Sequence, residues 1–554
     1  MTRTPSLDIQ ALIDGDEGLL GWLAAAAAND PGRVVARGRQ GSEIVTVTLA
    51  ELELSSRRLA KGLQTIGVAT GDTVAAWIPN RVEWLITEFA CAALGVALLG
   101  LNTRYRSHEI SHLLTTVTVS AIVLPDSFLA IDFVGTLESA LGQVRESNPA
   151  FHAPRLIFLG AIPDESRSIE AATLTFDELL TRGSLADATG RAGATSNLFT
   201  TSGSTSAPKV ASHDQRSILR HAHAGAVALD VRPGDEMLAV LPLCGVFGFS
   251  ALMALLIGGG SALLVETFDA ELAARHLQEA PVTHIVGGDE MLGAIFALVP
   301  HDTGLPRLRR GVIANFAGRA KEVVAEADER WGTKISGVYG SSELFALCAL
   351  WPTSADVELR GLGGGRVVDP GIGVRVCDLD TNRPVAEGES GELQFRGYNV
   401  SPGYLNNARA NELSFTDDGW FKTGDLGYLA QGGFVYQCRA REALRLRGFL
   451  VEPGEIEDFL SAEPAIDEVH VVGVDTGEGM RAFAFARARA DESIDEDAIL
   501  TRARDRIASY KVPARIFQVQ KFPTTSGTNG TKIRFEELRE LARTKLNLPS
   551  EVDD

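Results

Sequence analysis

A chain of 554 residues, 45% of them hydrophobic, is too long for one ordinary core and too apolar to stay disordered, so two to four packed units are expected. With 52 Lys and Arg against 72 Asp and Glu, the formal charge is −20, which excludes a general nucleic-acid binder, whose footprint must be basic. Cys91, Cys244, Cys348, Cys377 and Cys438 lie far apart with no C-x-x-C spacing, which excludes a disulfide scaffold or thiolate zinc site and suits a reducing interior such as the cytoplasm.

In chain order, Asp8, Asp14, Asp16 and Glu17 come before any apolar run, where a secretory leader would carry positive charge; none is expected. The alanines at 24–28 predict a helix flank closing near Asn29-Asp30-Pro31-Gly32. Residues 74–78 predict a strand, and 82–99 a helix feeding a strand. Further buried strands are predicted at 120–124, 155–159, 236–241, 281–288 and 334–338. Residues 238–265 carry no formal charge and are numerous enough to span a bilayer. Pro242, Gly245, Gly248 and Gly258-Gly259-Gly260 interrupt them, however, and predict a buried helix, a turn and a strand rather than a transmembrane segment. Strands alternating with helical patterns point to an α/β fold with helices on both faces of the sheet.

After Arg360 the texture changes: Gly361, Gly363, Gly364, Gly365 and Gly371 sit among short strands at 373–377 and 392–395, a β-rich stretch of about 361–437. Beyond it the order reads strand, helix, strand, strand, helix, with elements at 455–461, 469–474, 482–487 and 497–507. From 500 to 545 there are 11 Lys and Arg against 4 Asp and Glu, or +7. Aromatics are few among those charges, so a basic patch for one polyphosphate ligand is expected rather than a nucleic-acid surface.

The sharpest local feature is Thr200-Thr201-Ser202-Gly203-Ser204-Thr205-Ser206-Ala207-Pro208-Lys209. A tight turn exposes backbone N–H groups there, while hydroxyls and an ammonium add donors for phosphoryl oxygens. It lacks the G-x-x-x-x-G-K-[ST] order of a Walker A loop, and composition alone suits a solvated linker equally well.

Taken with the motifs that follow it, this loop resembles that of the adenylate-forming superfamily, which holds acyl-CoA synthetases, firefly luciferase and peptide-synthetase adenylation domains. The family's T-S-G-[ST]-T-G-x-P-K is matched from Thr201 to Lys209, with Ser206 in place of a glycine. Tyr339-Gly340-Ser341-Ser342-Glu343 matches Y-G-x-[ST]-E; Gly403-Tyr404-Leu405-Asn406 and Asp418-Gly419-Trp420-Phe421-Lys422-Thr423-Gly424-Asp425 follow in the family's order. The resemblance implies that Thr201, Ser202, Gly203, Ser204, Thr205 and Lys209 cradle phosphates and that Ser342 touches them. It implies adenine against Tyr339 and the Ala317-Gly318 backbone, Mg²⁺ on Glu343, and ribose on Asp425 and Arg439. Asn315-Phe316 replaces the family's pair of glycines, and Cys244 its Pro-x-x-His histidine. An acyl pocket is therefore expected among Cys244, Phe247, Phe249, Met253, Gly287, Gly288, Met291, Leu292 and Phe316, apolar enough for a hydrophobic acid. His213 either orients the loop or caps a helix.

Cys438-Arg439-Ala440-Arg441 stands at the family's hinge, with Arg441 replacing its Lys or Asp, and Gly448 is expected beside the pantetheine channel. Glu455 and Glu457 read as acids opening a helix. Lys532, in Thr524-Thr525-Ser526-Gly527-Thr528-Asn529-Gly530-Thr531-Lys532, matches the C-terminal P-x-T-x-x-G-K-[IV] with inserted residues. It is expected to be catalytic along with Thr205 and Glu343. The implied architecture is α/β with a β-rich subdomain: a large N-terminal domain of packed mixed sheets (1–437), a hinge (438–441) and a small mobile α+β C-terminal lid (442–554). The implied reaction is ATP-dependent acyl-AMP formation followed by transfer to CoA. Loading of a carrier-protein phosphopantetheine, an impaired ligand-binding homologue, and a homodimer are left open.

Overall fold

In a computed structural model of the chain, residues 7–40, 43–169, 171–201, 208–440, 443–446, 449–451, 453–476, 479–490, 492–507, 509–527 and 530–548 are described. The chain divides into two compact units, Met1–Gly373 with Phe395–Phe421, and Val374–Gln394 with Lys422–Asp554.

Two sheets carry the first unit. One has the strand order Thr173–Thr175, Arg155–Leu159, Ala121–Pro125, Thr73–Ala76, Ala97–Gly100, Thr195–Thr200, Val210–Asp214, parallel throughout except for the last pair. The other runs Gly364–Val367, Ala349–Leu350, Lys334–Tyr339, Arg310–Ala314, His284–Gly288, Glu236–Ala239, Ser261–Leu264, Val34–Gln40, Glu43–Thr48, parallel in its middle and antiparallel at both ends. Along Thr73–Ala76, Val74 and Ala76 enter one apolar cluster and Ala75 another. That is the period-two alternation of a strand buried on both faces, and it explains why the run shows no polar partner positions in the sequence.

The predicted strands form near where expected, with shifted ends: the run at 74–78 is a strand over Thr73–Ala76, that at 281–288 begins at His284, and that at 236–241 stops pairing at Ala239. The Asn80 side chain takes over there, donating to the Ala239 and Leu241 carbonyls at 3.1 and 2.8 Å and accepting the Leu243 N–H at 2.9 Å. The uncharged stretch resolves as predicted into helix Val246–Ile257, buried at every position, and strand Ser261–Leu264. Among the described residues no helix is long and apolar enough to cross a membrane.

In the second unit, residues 374–377, 391–394, 422–430 and 433–439 lie in strands that follow one another in a sheet. A three-stranded sheet pairs Ile466–Asp475 antiparallel to Met480–Ala488, and the latter parallel to Arg515–Gln518. Its faces are filled by separate apolar clusters, one taking Val469, Val471, Ala482 and Ala484, the other Val472, Val474, Phe483 and Phe485. Helices Pro453–Ser461, Glu496–Arg506 and Phe535–Lys545 complete the α+β arrangement.

Candidate active site

A β-hairpin sets the feet of the hydroxyl-rich loop. Thr200 faces Val210 across the antiparallel pair, and the Thr201 N–H donates to the Lys209 carbonyl at 2.8 Å. Ser202, Gly203, Ser204 and Thr205, with Ser206 and Ala207, lie outside the described residues. At the feet, the Tyr105 and Thr200 hydroxyls are hydrogen-bonded at 2.9 Å, and the Ser342 hydroxyl donates to the Thr200 carbonyl at 3.2 Å. The loop and the Ser342 turn, 142 residues apart in sequence, therefore share one place in the fold.

Strand Lys334–Tyr339 delivers that turn, and beyond Glu343 the backbone enters a conformation that L-residues avoid. Phe345, Ala346 and Leu347 have φ of 59°, 49° and 34°. Left-handed residues other than glycine cost about 1–3 kcal/mol each, so the surroundings must hold them. His221 Nε2–H donates to the Ala346 carbonyl at 3.1 Å, His213 Nε2–H donates to the Ser342 carbonyl at 2.7 Å, and the Ala346 N–H reaches the Ser341 carbonyl at 2.9 Å. Burial drives both imidazoles down to about 4, against the pull of those hydrogen bonds, so each is a neutral donor at physiological pH. His213 thus orients the turn, and the helix that follows is capped by Asp214 instead. A Cβ on Gly340 would stand 2.5 Å from the Ala346 Cα, so glycine is required where the left-handed turn folds back.

The Glu343 carboxylate accepts the Tyr404 hydroxyl at 2.7 Å, and the Lys209 ammonium lies over the same ring, 4.5 Å from its centroid. Tyr339 stacks on Phe395 at 5.5 Å and 14°. On the neighbouring strand end, Ala317 and Gly318 belong to a loop hung on one carboxylate. Asp289, 1% exposed, accepts the N–H groups of Phe316, Ala317 and Arg319 at 3.1, 3.0 and 2.8 Å. Gly318 takes φ +83° within that loop, and Asn315 Oδ1 accepts the Ala320 N–H of the next helix at 3.2 Å. Sequence reasoning passed over Asp289, because an acid in a helix's first turn is ordinary there. Tyr404 was visible only as part of a motif without a role.

Of the expected pocket residues, Cys244 is buried and its thiol pushed up to about 12 by that burial. Phe247 is buried, and Met291 and Phe316 are half-buried beside the same apolar cluster. Gly287 lies against Leu292 and the Met291 sulfur. Phe249 packs inward, its ring 5.6 Å from Phe199 and 6.1 Å from Phe345.

In the second unit one hairpin joins Asp425 and Arg439, which are register partners, with Arg439 Nε 3.0 Å from Asp425 Oδ1. The Thr423 hydroxyl accepts the Asp425 N–H at 3.0 Å and donates to the Leu393 carbonyl at 2.6 Å, fixing the turn. The inserted residues before Lys532 build a second hairpin, Thr524–Gly527 with Gly530–Ile533, in which Lys532 stands opposite Thr525. Arg441 and Gly448 lie outside the described residues.

Within the basic stretch at 500–545, several side chains are paired with carboxylates. Arg502 pairs with Glu463 at 2.5 Å, Arg515 with Glu496 at 2.7 Å, Arg539 with Glu536 at 2.6 Å, Lys511 with Glu455, and Arg534 with Glu537. Three of these carboxylates precede residue 500, outside the window over which the charge was summed.

Among the described residues no three His, Cys, Asp or Glu side chains cluster as a metal cage. The donor set still suits magnesium, which takes one or two carboxylates and fills its remaining positions with water and substrate phosphate oxygens. In the first unit, then, a parallel sheet covered on both faces carries a hairpin whose loop has a phosphate-binding composition, with the turn that bears Ser342 and Glu343 at its feet. Residues 23–405 match the AMP-binding enzyme family and residues 455–528 the C-terminal domain of AMP-binding enzymes. The chain belongs to that family.

It is 28% identical over 506 residues to the 2-succinylbenzoate–CoA ligase of Bacillus licheniformis, covering 91% of this chain and 96% of the relative. To the mitochondrial medium-chain acyl-CoA ligase ACSF2 of Bos taurus it is 26% identical over 527 residues, covering 91% and 85%. The O-succinylbenzoate coenzyme A synthetase (MenE) of Bacillus subtilis, solved in complex with ATP and magnesium ion, superposes with a TM-score of 0.74 at 25% identity, over 93% of this chain and 98% of that one.

Proposed function

We propose that this acyl-CoA ligase activates a hydrophobic carboxylic acid with ATP and passes it to CoA. In the first step a carboxylate oxygen attacks the α-phosphorus, the bond to the β-phosphate oxygen breaks, and diphosphate leaves acyl-AMP behind. In the second, the CoA sulfur gives up its proton and adds to the acyl carbonyl, and AMP departs. No general base is needed in the first step, because the attacking carboxylate is already ionised. The observation that carries this reading is the meeting of the phosphate loop's feet with Ser342 and, through Tyr404, of Lys209 with Glu343.

Thr201, Ser202, Gly203, Ser204, Thr205, Lys209 and Ser342 hold the triphosphate; Ala317, Gly318 and Tyr339 hold adenine; Asp425 and Arg439 hold the ribose. Glu343 holds magnesium, which when bound neutralises phosphate charge. Lys532 supplies the cation on which negative charge gathers between the carboxylate and the α-phosphate. Arg441 is the hinge between 1–437 and 442–554, and Gly448 flanks the pantetheine. Cys244, Phe247, Gly287, Gly288, Met291 and Phe316 form the acyl wall, with Phe249 packed behind it against Phe199 and Phe345; none is basic, which favours an acid without a second carboxylate. Five buried cysteines, far apart in the sequence, suit the cytoplasm.

ATP–diphosphate exchange over acids graded in chain length and ring size tests this. One class of hydrophobic acid should support exchange, and silence across the panel would refute the reading. With the active acid, Lys532→Ala should lower exchange about 10²–10³-fold. Its thioester formation from supplied acyl-AMP should stay within a few-fold. Acyl transfer to carrier proteins but not to free CoA would reverse the choice of acceptor.

A further inference from the structure

Tyr404 holds none of the roles just assigned, yet it touches two residues that do. Its hydroxyl donates to Glu343 Oε1 at 2.7 Å, and its face lies 4.5 Å from the Lys209 ammonium. The residue is 7% exposed and its backbone is fixed on several sides. The Tyr404 N–H donates to Asn411 Oδ1 at 2.6 Å, Asn411 Nδ2 returns a bond to the Tyr404 carbonyl at 3.0 Å, and the Leu405 N–H reaches the Val210 carbonyl at 2.9 Å. Three residues earlier, the Ser401 N–H donates to the Glu343 carbonyl at 2.7 Å. The segment 401–405 is therefore stitched both to the strand leaving the phosphate loop and to the main chain of Glu343.

A phenol in such a frame cannot follow a wandering carboxylate; it decides where the carboxylate points. Its position between two opposite charges has a second consequence. A carboxylate and an ammonium on adjacent elements attract, and a direct pair would occupy the two groups that a magnesium–triphosphate ligand must find open. In the described structure they meet through the ring instead, hydroxyl on the carboxylate and π-face on the ammonium. We propose that Tyr404 is a positioning residue that holds Glu343 and Lys209 apart and aimed, the first at the divalent cation and the second at the triphosphate. The proposal rests on the function given above.

The test uses the full chain and the variants Tyr404→Phe, Tyr404→Leu, Glu343→Gln and the double variant Tyr404→Phe/Glu343→Gln. Half-saturating Mg²⁺ for exchange is one readout. The other is Mn²⁺ binding, followed by electron paramagnetic resonance in the presence of α,β-methylene-ATP. Tyr404→Phe, which lacks only the hydroxyl, should need about 10-fold more Mg²⁺ and bind Mn²⁺ correspondingly more weakly. Its kcat at saturating Mg²⁺ and its melting temperature should match wild type. Tyr404→Leu, which also lacks the spacer, should in addition raise the KM for ATP; should it not fold, Tyr404→Phe decides alone. In the Glu343→Gln background, Tyr404→Phe should add nothing.

A Tyr404→Phe enzyme with wild-type cation dependence overturns the inference. So does one that loses kcat or melting temperature with its cation dependence unchanged. In both cases exchange that is lost in Glu343→Gln leaves the proposed function standing. A wild-type chain with no magnesium-dependent exchange overturns both.

Discussion

Glu88 lies on helix Val82–Leu94 with its carboxyl wholly buried against the strand that leads to the phosphate loop. Asn197 Nδ2 donates to it at 2.7 Å and the Ser196 hydroxyl at 3.4 Å, yet burial outweighs both and raises its pKa from 4.5 to about 7. The folded state therefore favours the protonated acid. Its contribution to stability is complete below 4.5 and is lost as pH rises to about 7, in total about 3 kcal/mol. Glu88→Gln should melt above wild type at about pH 8 and level with it at pH 4.5, as read by thermal unfolding across that range. His213 and His221 act with the opposite sign: their values fall from 6.5 to about 4, so their stabilisation is present above 6.5 and drains away as pH drops through that interval. At this scale the sequence showed residue types and little else. Glu88 reads as a helical acid and His221 as any histidine, because burial comes from elements far away in the chain.

At the scale of the element, the strands were readable because a run buried on both faces has to be apolar throughout, as in Ala121–Pro125. Irregular segments were not. Phe345-Ala346-Leu347 contains neither glycine nor asparagine, and only tertiary contacts pay for its left-handed turn. The loop at 315–319 likewise takes its shape from Asp289, 27 residues upstream of Phe316. Replacing Asp289 by Ala leaves three loop N–H groups without their acceptor. Stability should fall by about 1–3 kcal/mol, measured by denaturant unfolding, and amide exchange should quicken at Phe316, Ala317 and Arg319 before it does elsewhere. The hairpin carrying Lys532 shows the same limit. A glycine-rich insertion reads as a loop tip, and only the pairing of Thr525 with Lys532 makes it a strand.

For the whole molecule, the two-part organisation and the reaction class were legible, since the motifs from Thr201 to Lys532 occur together and in order. Part of the +7 summed over 500–545 is met by carboxylates outside that window, since three of its side chains reach across the fold to Glu455, Glu463 and Glu496. Exposed ion pairs of this kind contribute little to stability. Arg502→Gln and Arg515→Gln should each leave the KM for CoA within about two-fold of wild type, measured by thioester formation; a free phosphate-binding cation would cost about 1.5–3 kcal/mol when removed.

The chain by itself determined which strands are buried, where helices alternate with them, and which motifs mark the family. Those follow from hydrophobic period and from local runs of residues, which neighbours in sequence suffice to specify. Tertiary structure alone decided that Tyr404 stands between Lys209 and Glu343, that Asp289 holds the loop at 315–319, and that two neutral histidines hold the turn after Glu343. Each of these joins positions from 27 to 195 residues apart. A hydrogen bond over such a separation leaves no periodic trace, because its geometry exists only once the sheets have brought both partners to one place.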